Sequence, residues 1–176
     1  ESEIKKTMRY GVDRLKAVPT PKMEKTAVVF STSDAVSLYE YFLENLNAAY
    51  IVRKMSDWKI GSPVMENDGA DKLTLTARKT LPDSSCNFTW DKEGSPTRDI
   101  VLIKDNVPCR YWGSRMYCQY LGLDDNFIVY NWEVSGGNAS DDEIRSGRFL
   151  EIVEFSDFQC DPSTGDIFGE IRLGYY

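Results

Sequence analysis

The sequence predicts an α+β fold, a mostly antiparallel β-sheet with two helices near the N-terminus. Three observations predict it. Long apolar stripes at helical spacing fall within the first 50 positions. Beyond residue 73, strand-like alternation and β-branched or aromatic runs dominate. Those runs follow one another through turn-rich links, not through the regular strand-helix alternation that a parallel sheet would need.

Each element has a local reason. Residues 3–18 place Ile4, Met8, Val12, Leu15 and Val18 on one helical stripe, with Ser2 available as a cap and Pro19 and Pro21 as breakers. AVVF at 27–30 reads as a short strand, and STSD after it supplies a helix N-cap. From Asp34 to about Tyr50, Ala35, Leu38, Phe42, Leu46 and Ala49 recur at helical spacing, which predicts one continuous helix. LTLTARK at 73–79 alternates as a strand does. DIVLIK at 99–104 and VPCRYW at 107–112 flank Asp105-Asn106, a tight hairpin signal. Residues 114–121 read as a short helix stopped by Gly122. FIVYNWEV at 127–134 reads as a strand, and Ser140 with Glu143 forms a capping box. FLEIVEFSDF at 149–158 and DIFGEIRLGYY at 166–176 form a second hairpin across Pro162-Ser163-Thr164-Gly165. Residues 56–72 and 80–98 read as loops. The last strand runs to the final residue, which predicts a domain cut from a longer protein.

The 176 residues contain no histidine. A Ser-His-Asp triad, a Cys-His dyad, a His-ligated metal and a histidine pH switch are therefore excluded within this sequence. Lys and Arg number 21 against 28 Asp and Glu, a net charge of -7. An acidic surface repels phosphate backbones, which argues against nucleic acid as a partner. No apolar run approaches membrane-spanning length, and the N-terminus has no signal-peptide pattern. Cys86, Cys109, Cys118 and Cys160 form no C-x-x-C pair. Reduced thiols in a cytoplasmic protein are the simplest reading, although an even count allows two disulfides.

Several clusters could carry chemistry. DKEGSPTR at 91–98 offers Asp91 and Glu93 for acid-base work, or is a polar turn set by its glycine and proline. Asp124-Asp125-Asn126 and Asp141-Asp142-Glu143 lack the alternation and central glycine of a calcium loop. The second reads better as an acidic first helical turn. Asn87-Phe88-Thr89 and Asn138-Ala139-Ser140 match the glycosylation triplet, a weak signal without a secretory leader. Tyr111, Trp112, Tyr117 and Tyr120, and then Phe127, Tyr130 and Trp132, could form a sugar or peptide platform, or a core.

Several stretches in order resemble the C-terminal domain of the TldD/PmbA family, proteins once described as modulators of DNA gyrase and now regarded as metalloproteases. They are KTAVVFSTSDAVSLYEYFLENL at 25–46, FTWDKEGSPTRDIVLIKDNVPCRYW at 88–112, SGGNASDDEI at 135–144 and FSDFQCDPSTGDIFGEIRLGYY at 155–176. The resemblance implies a family domain over residues 25–176, truncated at its C-terminus. A helix and linker at 1–24 stand where the family has a large N-terminal domain.

In the catalytic TldD-like subunit of the family, a helix carries H-E-x-x-x-H, whose histidines bind metal and whose glutamate acts as general acid or base. The matching helix here reads YEYFLE, with Tyr39 and Glu44 at the histidine positions and Glu40 at the glutamate. A phenol with a pKa of about 10 is a poor zinc ligand at neutral pH. The family's ligand cysteine lies beyond the last strand of this chain, so Cys160 does not take that role. The resemblance thus implies a PmbA/TldE-type, non-catalytic partner subunit of a heterodimeric peptidase acting on small or unfolded peptides. It implies no cofactor in this chain, zinc only in a TldD-like partner, and pairing with that subunit or as a homo-oligomer. The alternatives are a stand-alone peptide- or sugar-binding β-rich module, and a carboxylate hydrolase at Asp91 and Glu93.

Overall fold

The computed structural model describes residues 2–65 and 69–176. In chain order they form α1 (Glu3–Arg14), β1 (Ala27–Phe30), a 3-10 turn (Ser33–Ala35), α2 (Val36–Glu44), α3 (Ala48–Val52), β2 (Leu75–Arg78), β3 (Ile100–Lys104), β4 (Val107–Pro108), α4 (Arg115–Tyr120), β5 (Asn131–Val134), α5 (Asp141–Ile144), β6 (Phe149–Cys160) and β7 (Ile167–Tyr175). The α+β architecture with mostly antiparallel pairing stands as the sequence predicts. The chain divides into two compact units.

The first unit holds the residues up to Leu38, Ala139–Asp161 and Asp166–Tyr176. Its sheet has the order β1-β6-β7. β1 runs parallel to β6, with Ala27 opposite Phe149 and Phe30 opposite Ile152, while β6 and β7 form the long antiparallel hairpin. Leu150, Ile152, Val153 and Leu173 are its buried apolar residues. Beside them Phe30, Phe155 and Phe158 pack ring on ring at 4.6–6.1 Å. Gly169 permits this packing, because a Cβ there would come within 2.8 Å of the Phe155 ring.

The second unit holds Tyr39–Asn138 with Pro162–Gly165. Its antiparallel sheet has the order β4-β3-β2-β5. Leu43, Leu46, Leu73, Leu75, Leu102, Ile103, Trp112 and Phe127 form one buried cluster. Each fully buried leucine or isoleucine contributes roughly 2 kcal/mol. Asp105 and Asn106 both have positive φ, 52° and 69°, the conformation that a two-residue hairpin of matching twist requires.

Several elements are shorter than the sequence predicts, and for four of them the cause is visible. The single helix expected from Asp34 to Tyr50 is a 3-10 turn and two helices, broken at Asn45–Asn47. The break is made by hydrogen bonding: Ala48 N–H donates to the Trp112 carbonyl at 2.7 Å and Trp112 N–H to the Leu46 carbonyl at 3.1 Å. Asn47 then caps α3 by accepting the Ala49 N–H at 3.0 Å. The helix expected over 3–18 ends at Arg14, where Leu15, Lys16 and Ala17 donate three residues back in a tightened last turn. The strand expected at 127–134 is regular only from Asn131, because Ile128 N–H donates to the Asp91 carboxylate and not to a neighbouring strand. The strand expected over 107–112 ends at Pro108; Trp112 turns instead to the Leu46–Ala48 segment.

Candidate functional site

Helix α2 carries the three residues singled out by the sequence. Its inner side is firmly built. Leu43 is buried, and its carbonyl accepts the Trp112 indole N–H at 2.8 Å. Tyr41 and Phe42 pack edge-on at 5.3 Å, and both reach Trp58, at 5.7 and 5.9 Å. Buried Asn45 donates from Nδ2 to the carbonyls of Tyr41, at 2.9 Å, and Pro162, at 2.5 Å. The Ser56 hydroxyl donates to the Asn45 carbonyl at 2.9 Å. These bonds fix where the helix ends and which way it faces.

Tyr39 and Glu40 are exposed, and Glu44, one turn after Glu40, is half-buried. The Glu44 carboxylate accepts from Asn47 Nδ2 at 3.0 Å. Burial pushes its carboxyl above the ordinary value, the Asn47 amide pulls it partly back, and the charge of Glu40 adds to the rise. The helix therefore presents a phenol and two repelling carboxylates. This oxygen-only set does not fit a site built on imidazole and thiolate ligands. Among the described residues no three His, Cys, Asp or Glu side chains are grouped as metal ligands would be.

The other candidate residues have structural work. Asp91 is buried, and its carboxylate accepts three backbone N–H groups, from Glu93 at 2.8 Å, Ser95 at 2.9 Å and Ile128 at 3.1 Å. The Glu93 carboxylate accepts the Arg115 N–H at the start of α4. DKEGSPTR is thus an ordered turn, and its two carboxylates are each engaged by backbone. Asp125 takes both guanidinium nitrogens of Arg98 at 3.0 Å and one of Arg110 at 3.3 Å. Asp141, Asp142 and Glu143 form the first turn of α5, closed by the predicted Ser140–Glu143 capping box. Asn87 pairs both ways with the Leu81 backbone, and Asn138 binds the Asp71 carboxylate. Of the aromatic clusters, Trp112 and Phe127 are core, Tyr111 and Trp132 pack against it, and Tyr120 is exposed. All four cysteines are free thiols: Cys118 buried, Cys109 exposed, Cys86 and Cys160 in between.

Sequence reasoning missed Asn131. It is buried on β5, accepts the Ser84 hydroxyl at 2.6 Å and donates to the Cys86 carbonyl at 3.0 Å and the Asn87 side chain at 3.1 Å. An asparagine inside an otherwise apolar and aromatic run was the one available signal.

The fold and this helix together define a domain class, and comparison with known proteins shows which. The family described as PmbA/TldA metallopeptidase C-terminal domain matches residues 23–176. The chain belongs to that family. Among solved structures it is similar to TldE from Thermococcus kodakarensis, with 17% identity, a TM-score of 0.71, and coverage of 94% of this chain and 41% of that one. A candidate modulator of DNA gyrase from Bacteroides thetaiotaomicron VPI-5482 gives 20%, 0.72, 90% and 37%. A second, from Thermotoga maritima MSB8, gives 18%, 0.66, 87% and 41%. At these identities the likeness shows the fold, and the chain spans about two-fifths of the length of each. No curated protein matches the chain. Among the described residues no helix is long and apolar enough to cross a membrane.

Proposed function

We propose that this chain belongs to a non-catalytic, PmbA/TldE-type subunit that pairs with a TldD-type subunit in a cytoplasmic peptidase acting on small or unfolded peptides. Residues 25–176 are the family domain, and residues 1–24 a helix and linker. Zinc and the hydrolytic step belong to the partner; this subunit contributes wall and stability. One observation carries the reading. Helix α2 has a buried face and fixed end contacts, and the sequence resemblance puts Tyr39 and Glu44 at the two histidine positions of the family motif. A firmly packed helix with no imidazole on it fits a role that needs the surface and not the metal.

The test is to purify the full-length protein alone and with a TldD-type chain from the same genome, then to measure association and cleavage of an unstructured peptide. Association, with cleavage only in the mixed sample, is the expected result. Cleavage by the protein alone would overturn the proposal. Failure to associate would favour a stand-alone binding module.

A further inference from the structure

We draw no further inference here: the strongest candidate, the cavity of about 430 Å³ that the end of α1 and the linker after it form with β7, lined by Lys16, Val18, Leu150, Ile171 and Arg172, lies along the outer strand of its sheet, and nothing in the structure shows what covers it.

Discussion

The carboxylate of Glu93 accepts the backbone N–H of Arg115 at 2.7 Å, and the Arg115 guanidinium returns a bond to the Glu93 carbonyl at 3.1 Å. Ser114 holds the N-cap position of α4 but makes no capping bond with its side chain. A residue 22 positions upstream therefore caps the helix, and its negative charge lies at the positive end of the helix dipole. Glu93→Ala should lower stability by about 1 kcal/mol, read as a shift in urea midpoint with unchanged slope. Ser114→Ala should be close to neutral. Equal losses in the two variants would place the cap on the serine.

Gly165 ends the link between β6 and β7 at φ 76°, and a Cβ there would stand 3.3 Å from the Tyr41 ring. Both the backbone and the neighbour oppose a side chain. Gly165→Val should cost about 2 kcal/mol or more, with Gly165→Ala intermediate. Thermal unfolding of the two variants reads the order, and an unchanged melting temperature in Gly165→Val would contradict this turn.

Glu44 gives a pH dependence. Its carboxyl in the fold holds a proton more tightly than the ordinary value of 4.5, chiefly through burial. Its favourable contribution is therefore complete below about pH 4.5 and is lost as pH rises through the folded value. Glu44→Gln removes the repulsion from Glu40 and keeps an acceptor for Asn47. At about pH 7 it should stabilise the fold by about 0.5 kcal/mol, and the gain should vanish below about pH 4. Denaturation of both proteins across that range checks the sign; a gain that grows on acidification would contradict it.

Cys118 is buried, and burial first, then Asp125 and Glu93, push its thiol up. Cys109 is exposed. Because the thiolate is the reactive form, iodoacetamide should label Cys109 early in the native protein and Cys118 only on unfolding. Peptide mass spectrometry over a time course gives the order, and early labelling of Cys118 would show an open core.

Much of this fold was legible because its signals are local. The Asp105-Asn106 hairpin, the Ser140–Glu143 box, the Gly122 stop and the Gly165 turn depend on a few adjacent residues whose backbone preferences point one way. What was hidden depends on partners far along the chain. The break at Asn45–Asn47 is made by Trp112, and the helical spacing of Phe42, Leu46 and Ala49 runs through it without a sign. Asp91 looked available for chemistry because the third N–H group that occupies it, from Ile128, comes from 37 positions along the chain and cannot be seen in an eight-residue window. The candidate site was legible only as a departure from a family pattern. The chemistry of Tyr39, Glu40 and Glu44 is plain in the sequence, but their shared helix and the half-burial of Glu44 are properties of the packing.

The central claim is that helix α2 is kept while metal binding is not. Dialysis of the full-length protein against a slight excess of zinc, followed by removal of free metal and elemental analysis, tests it most directly. The account predicts zinc far below one per chain, unchanged in Glu40→Gln. One zinc per chain, lost in Glu40→Gln or Glu44→Gln, would contradict it.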